Sequence, residues 1–186
     1  PVVRAALSDL DAGKLGYEIH HDGDLPARSG TGSSSSFAVG LYHAYCTLHN
    51  IDVNKRSLAD YAIYLEQELL GESVGYQDQI AVAFGGLNVI KFNPGGSYDV
   101  EQVQISKERE IEFQDHLMLF FTGQTRFSSD IASKQVSQVE KNTKSLQAMH
   151  EMVNAGLKVL TNETADIREF GKLLDDAWEH KKSLAD

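Results

Sequence analysis

Cysteine is nearly absent from this sequence of 186 residues, in which Cys46 is the only one. A lone cysteine cannot form an internal disulfide or supply a thiolate metal cage, so we expect a reducing compartment and no structural zinc. No apolar run approaches the roughly 20 residues that span a bilayer, and residues 1–11 lack the basic and then apolar pattern of a signal peptide. We therefore expect a soluble, cytoplasmic chain with no membrane partner.

Basic residues are also scarce, because 17 lysines and arginines face 27 aspartates and glutamates and give a formal charge of −10. Such a charge repels nucleic acid phosphates unless a local basic patch intervenes, and the sequence shows no such patch. The apolar content of 41% is enough for a sizeable core. The composition thus favours a globular protein of one ordinary or two small domains, with no nucleic acid partner.

The first half of the chain alternates between glycine-rich segments and regular patterns. Residues 15–21 read as a short strand, and a glycine and serine segment at 28–36 leads into a helical pattern at 37–49. A second helix is predicted from a cap near Ser57 to Gly71. A third follows at residues 77–84.

The second half begins with a predicted hairpin, whose strands cover residues 87–92 and 100–105 around a turn at 93–96. Residues 107–115 are highly charged and could join two domains, and residues 116–122 read as a compact apolar strand. From residue 128 onward the pattern is nearly all helical. A single break is predicted at residues 162–166.

The glycine and serine segment is the first candidate for chemistry. Glycines let a backbone approach a ligand closely, and the N-terminus of a helix offers unpaired N–H groups to a phosphate. A flexible linker is the competing interpretation, although linkers rarely run directly into an amphipathic helix. Neither G-x-x-x-x-G-K-[ST] nor G-x-G-x-x-G is present, so a phosphate loop of another class is indicated.

A polar cluster at residues 75–79 is the second candidate. Asp78 could cap the following helix, or its carboxylate could act as a general base toward a sugar hydroxyl. Glu66 and Glu68 could be ordinary surface charges, or one of them could bind magnesium, which prefers carboxylate and hydroxyl oxygens. Arg126, just after the apolar strand, is either a surface residue or a clamp for a phosphate.

Taken together, these segments resemble the small-molecule kinases of the GHMP family, which includes galactokinase, homoserine kinase and mevalonate kinase. Residues 26–36 resemble the second motif of that family, with Thr31 in place of the usual leucine and Ser36 in place of alanine. The heptose-phosphate branch is the most similar, because residues 75–79 and 83–88 resemble its substrate-side segment. Residues 120–123, with Arg126, extend that similarity, which covers nearly the whole chain.

The resemblance implies an α+β fold of two domains and an ATP-dependent sugar kinase with Mg²⁺ as a cofactor. Asp78 would be the catalytic aspartate, and Ser34 and Glu66 would be magnesium ligands, with Glu68 as the fallback if the helix register differs. The implied residues around the ATP phosphates are Ser29, Gly30, Thr31, Gly32, Ser33, Ser34, Ser35 and Ser36. Those implied on the substrate side are Gln77, Gly85, Gly86 and Arg126, and less securely Arg28.

The implied reaction transfers the γ-phosphoryl group of ATP to a hydroxyl of a sugar phosphate, D-glycero-D-manno-heptose 7-phosphate. The alternatives are a free-sugar kinase for galactose or fucose, or a non-catalytic nucleotide-binding fragment. A homodimer is compatible with the resemblance, but the sequence does not fix the oligomeric state.

The resemblance also implies two incomplete domains. Residues 1–112 would be the N-terminal, ribosomal-protein-like ATP-binding domain, and residues 113–186 the ferredoxin-like C-terminal one. The first motif of the family is expected upstream of Pro1, and the third, glycine-rich motif after Asp186. We therefore expect the chain to be an internal portion of a kinase that by itself binds ATP weakly and turns over slowly or not at all.

Overall fold

The structure is a computed structural model that describes residues 1–10, 16–24, 30–121 and 139–184. Contacts divide these residues into two units. The described part of unit 1 lies within residues 1–86, and that of unit 2 comprises residues 87–121 and 139–184. The domain boundary at residue 112 stays a prediction, because a division by contacts does not define the domains of a family.

Unit 1 is helical in its described residues. Its helices are α1 (Val2–Asp9), α2 (Ser33–Leu48), α3 (Lys55–Tyr64) and α4 (Gln77–Phe84), and α3 continues into one π-helical turn at Leu65–Leu69. The predicted second helix is confirmed, but it begins earlier than expected. Asn54 caps it, since its side chain accepts a hydrogen bond of 2.9 Å from the amide of Ser57.

The core of unit 1 is built from small and aliphatic side chains where α1, α2 and α3 pack together. Its buried members are Ala6, Ala38, Val39, Leu58, Ala62 and Leu65. At its edge the rings of Tyr42 and Tyr61 stack with centroids 3.9 Å apart. The hydroxyls of Tyr61 and Tyr64 both donate to Asp9, so α3 is tied to the end of α1. Burial and the charge of Asp9 raise the pKa of Tyr61 well above its ordinary value.

Unit 2 begins with an antiparallel hairpin of β1 (Asn88–Phe92) and β2 (Tyr98–Gln102), in which Ile90 pairs with Val100. The helices described after it are α5 (Lys107–Asp115), α6 (Thr143–Thr161) and α7 (Arg168–Lys182). Helices α6 and α7 approach closely at Gly156, where an added methyl group would lie 3.1 Å from the ring of Phe170.

The largest fully buried side chain of unit 2 is Arg109 in α5, which is 1% exposed. Its guanidinium donates to the carbonyls of Val159 and Leu160, at 2.5 and 3.4 Å, and pairs with Glu112 at 2.6 Å. The carbonyls of the last turn of a helix have no partner within the helix. Arg109 therefore closes the C-terminal end of α6 while anchoring α5 to it.

Two predictions in unit 2 are confirmed and two are wrong. The hairpin is present, and the break before the last helix falls at residues 162–167, although residues 107–115 form a helix instead of a linker. The apolar strand expected from residue 116 is absent over residues 116–121, where Met118 is 80% exposed. A strand needs a hydrogen-bonding neighbour, and within the described ranges β1 and β2 pair only with each other.

Unit 1 also departs from the sequence at one place. The strand expected at residues 15–21 is not formed by residues 16–21, which belong to no helix or strand. The α+β class is nevertheless confirmed by the helices and the small antiparallel sheet. None of the helices in the described ranges is both long enough and apolar enough to cross a bilayer.

Candidate active site

The glycine and serine segment forms the N-terminal end of α2, as the sequence predicts. Gly30 and Gly32 have positive φ angles of 78° and 71°, a left-handed conformation that glycine adopts without strain. Gly32 is the N-cap of α2, and no side chain accepts a capping hydrogen bond from the first amides of the helix. The amides of the first turn, at Ser33 and Ser34, are thus oriented toward a site that suits an anion.

Ser35 is the serine of this segment that faces the interior. Its hydroxyl donates a hydrogen bond of 3.0 Å to Oε2 of Glu66, and both side chains are buried. Ser34, which the resemblance implies as a magnesium ligand, is exposed one residue earlier. The structure therefore gives the contact with Glu66 to Ser35, and the role of Ser34 stays a prediction.

Glu66 lies in the π-helical turn after α3 and is only 2% exposed. Single π turns inside helices occur frequently at functional sites. Oε2 of Glu66 also accepts a hydrogen bond from the amide nitrogen of Gln79 in α4. Both donors are neutral, and no lysine, arginine or histidine of the described ranges forms an ion pair with Glu66. A buried carboxylate without a cationic partner is costly, which points to a ligand that supplies the positive charge.

The charge of Glu66 also acts on its surroundings. Partial burial and the nearby Glu66 raise the pKa of Glu72, whose amide donates to the carbonyl of Glu66 at 2.9 Å. Glu68, the alternative ligand, is exposed on the same turn. The helix register thus favours Glu66 over Glu68.

Asp78 lies in the first turn of α4 beside Gly32, where an added methyl group would be 3.7 Å from Oδ2 of Asp78. The N-cap of α4 is Tyr76 and no side chain caps that helix, so the capping interpretation of Asp78 is not supported. The exposed carboxylate instead lies next to the N-terminal end of α2. That is where a general base belongs if the α2 terminus holds the phosphate group to be transferred.

The far end of α4 is held by Lys55, the first residue of α3, whose ammonium donates to the carbonyl of Phe84 at 2.5 Å. A cation there complements the negative end of the helix dipole. Gly85 and Gly86 follow this end, about 12 Å along the helix from Gln77 at its start. The structure thus separates these glycines from Gln77 and Asp78, and their role at the substrate stays a prediction.

Two groups of predicted residues lie outside the described ranges. Arg28 and Ser29 lie within residues 25–29, and Arg126 lies within residues 122–138. Their roles stay predictions.

A magnesium ion suits the donors that are present. Proteins commonly hold magnesium through one or two carboxylates plus substrate phosphates. Glu66 supplies such a carboxylate, and Oε1 of the neighbouring Gln79 is a buried oxygen without a hydrogen-bond partner. Sequence reasoning placed Gln79 in a polar cluster but did not assign it to the site.

Residues 2–86 match the family described as GHMP kinases N terminal domain. This part of the chain is a GHMP kinase N-terminal domain. The resemblance inferred from the glycine and serine segment is thereby confirmed, and Gly32, Ser35, Glu66 and Asp78 all fall within the matched residues.

Curated relatives of this chain are sugar kinases. It is 29% identical over 181 residues to D-glycero-alpha-D-manno-heptose 7-phosphate kinase of Campylobacter jejuni, covering 97% of the chain and 53% of that kinase. It is 26% identical over 175 residues to the bifunctional fucokinase/GDP-fucose pyrophosphorylase of Arabidopsis thaliana, covering 91% of the chain and 16% of that protein. The chain therefore spans about half, or less, of the length of these relatives.

A solved structure shows the same fold. The crystal structure of a D-glycero-D-manno-heptose 1-phosphate kinase from Bacteroides thetaiotaomicron matches this chain with a TM-score of 0.75 at 22% identity. The match covers 98% of this chain and 54% of that one. The α+β architecture described above is thus the architecture of a GHMP kinase over the matched region.

Proposed function

We propose that this chain carries the catalytic part of an ATP-dependent sugar kinase, which transfers the γ-phosphoryl group of ATP to a hydroxyl of D-glycero-D-manno-heptose 7-phosphate. The observation that carries the proposal is the meeting of three segments distant in sequence. Asp78 lies beside Gly32 at the N-terminal end of α2, and Glu66 is bonded to Ser35 in the first turn of the same helix.

Each of these residues has a role in phosphoryl transfer. The left-handed glycines and the first amides of α2 hold the phosphates, with Ser33, Ser34 and their neighbours around them. Magnesium bound at Glu66 would neutralise charge on the transferred group. Asp78 orients the attacking hydroxyl and accepts its proton, so catalysis comes mainly from positioning and electrostatic stabilisation.

The choice of acceptor rests on the relatives. The kinase that matches 97% of the chain is named for heptose 7-phosphate, and the polar cluster around Asp78 carries the same resemblance. A fucose kinase is the second candidate, favoured by the Arabidopsis relative. Arg126 separates the two, because a clamp for a phosphate already on the sugar matters only for a phosphorylated acceptor.

The test is an ADP-release assay on this chain with magnesium, ATP and a panel of heptose 7-phosphate, galactose, fucose and mevalonate. We expect slow turnover with the heptose phosphate as acceptor, and Asp78→Asn should lose about 10²- to 10⁴-fold of that rate while ATP still protects the fold against heating. Arg126→Ala should reduce the rate only with the phosphorylated sugar.

Asp52→Asn is the matched control, because Asp52 is an exposed aspartate of unit 1 outside the site. Protection by ATP without turnover on any sugar would favour the non-catalytic nucleotide-binding alternative. An unchanged rate for Asp78→Asn would remove Asp78 from the mechanism.

A further inference from the structure

Gln79 has a buried position that the proposed role of Asp78 in phosphoryl transfer does not explain. It follows Asp78 directly in α4, yet its side chain is 1% exposed whereas that of Asp78 is exposed. Its amide nitrogen donates a hydrogen bond to Oε2 of Glu66, the oxygen that also accepts a hydrogen bond from the hydroxyl of Ser35. The three side chains therefore join α2, the π-helical turn and α4 at one buried carboxylate oxygen.

This arrangement leaves the other oxygen of Glu66 available. Both hydrogen bonds reach Oε2, and neither of them reaches Oε1. A carboxylate held through one oxygen presents the other in a fixed direction, as ligands in metal sites do when neighbouring groups hydrogen-bond to them.

The amide oxygen of Gln79 is the second observation. Among the described residues, Oε1 of Gln79 is the buried side-chain atom without a hydrogen-bond partner. Turning the amide over would not remove the defect, since it would place an oxygen against the carboxylate and leave the nitrogen without an acceptor. Because the two amide atoms share one carbon, this oxygen lies within about 5 Å of Oε2 of Glu66. A buried polar atom without a partner in a native structure calls for a ligand or an ordered water.

We propose that Gln79 is a positioning residue of the cation site, an inference that rests on the proposed kinase function. Its nitrogen fixes Glu66 through Oε2, and its oxygen accepts a hydrogen bond from a water of the hydrated cation. Because Gln79 and Asp78 are adjacent in α4, the same contact sets the distance between the cation ligand and the base. At the start of α4, Asp78 thus acts as the base and Gln79 holds the cation ligand in position.

The experiment titrates magnesium chloride into the whole chain at a fixed concentration of ADP, with calorimetry as the readout. Gln79→Met removes the amide at similar length, and we expect apparent magnesium affinity to fall about 10- to 100-fold, the usual loss when a group that orients a metal ligand is removed. ADP affinity without magnesium should not change. Gln67→Met is the matched control, because Gln67 lies beside Glu66 but donates to the carbonyl of Val74.

A second variant keeps the test decisive if Gln79→Met does not fold. Gln79→Glu places two carboxylates side by side, so its melting temperature without divalent cations should fall below that of the wild type. Manganese chloride should then raise the melting temperature of Gln79→Glu more than that of the wild type. A rise equal to or smaller than that of the wild type overturns the proposal.

Failure of this inference is distinct from failure of the proposed function. If Glu66→Gln abolishes the magnesium dependence and Gln79→Met leaves it unchanged, Gln79 has only a packing role and the inference is wrong. If the wild type and Glu66→Gln respond to magnesium alike, the cation site itself is wrong, and the proposed function loses the residue on which it depends.

Discussion

In the residues that the structure describes, each unit buries one charged side chain almost completely, and the two side chains differ in how their charges are satisfied. Arg109 in unit 2 has an acidic partner, Glu112, and two backbone carbonyls at the end of α6. Among the described residues, Glu66 in unit 1 has two donors, from Ser35 and Gln79, and both are neutral. Both side chains are at most 2% exposed, so burial alone does not distinguish them.

The difference separates a structural charge from a functional one. A buried ion with a complete set of partners supports the fold. A buried ion without a counter-charge lowers stability unless a ligand supplies the opposite charge. Removing the charge should therefore have opposite consequences in the two units.

Arg109→Met should give the largest effect. The substitution leaves two helix-terminal carbonyls without their donor and Glu112 without its partner, so we expect the free energy of unfolding to fall by about 2–4 kcal/mol. Urea denaturation measures it, and magnesium with nucleotide should not restore the loss.

Lys107→Met is the control in the same helix, since Lys107 forms an exposed pair with Glu110 at 2.8 Å. Its effect should stay within about 0.5 kcal/mol. Equal losses of unfolding free energy for the two variants would show that Arg109 stabilises the fold no more than an exposed ion pair does.

Glu66→Gln should have a smaller effect, and one of opposite sign. Without divalent cations the neutral side chain relieves a buried charge, so we expect stability to be unchanged or to rise by up to about 1 kcal/mol. At a fixed concentration of ADP, magnesium at about 100 times its dissociation constant should stabilise the wild type by about 2.7 kcal/mol, and Glu66→Gln should not gain this stabilisation from magnesium.

Thermal denaturation with and without magnesium and ADP measures both effects. Glu68→Gln, on the same turn but exposed, should retain the ligand-induced gain. If Glu68→Gln lost the ligand-induced gain and Glu66→Gln retained it, the cation ligand would be Glu68.

The smallest effect is expected for Asp166, whose ion pair with Arg168 is exposed. Hydrogen bonds from Arg168 lower the pKa of the exposed Asp166 to about 2, from an ordinary value of 3.8. The pair therefore stabilises unit 2 fully above about pH 4, and this contribution is lost as the pH falls from about 4 to about 2. The difference in melting temperature between the wild type and Asp166→Asn should be constant above pH 4 and shrink below it. A difference that does not depend on pH would contradict the assignment.

Much of the site in unit 1 could be predicted from the sequence. The glycine pattern before an amphipathic helix indicated the helix terminus, and the polar start of α4 indicated Asp78. The four consecutive serines did not reveal which one faces the interior. Ala38 and Val39 are three and four residues after Ser35 and lie on the buried face, so helical spacing from them could have identified it.

Burial of the polar partners was harder to predict. Glu66 reads as a surface residue because glutamate is rarely buried, and only the π-helical turn and the contact with α4 make it an interior one. Gln79 looks like a polar residue at a helix start. Its spacing to the partly buried Ala83, four residues later, was the available signal.

The apolar segment at residues 116–121 shows the opposite failure. Its composition favours a strand, but strand formation depends on a neighbouring chain, and no property of the segment itself supplies one. Local pattern thus located α2, α3, α4, α6 and α7, but it missed α1 and α5 and could not specify pairing between distant segments.

The division of aromatic residues between the units has a practical consequence. Six of the seven tyrosines precede residue 87, including the stacked Tyr42 and Tyr61, whereas the single tryptophan, Trp178, lies in α7 and is 53% exposed. Tryptophan emission therefore reports on the unit that contains Arg109. Near-ultraviolet dichroism of the tyrosine stack reports on the unit that contains Glu66. One unlabelled sample thus carries a separate optical probe for each buried charge.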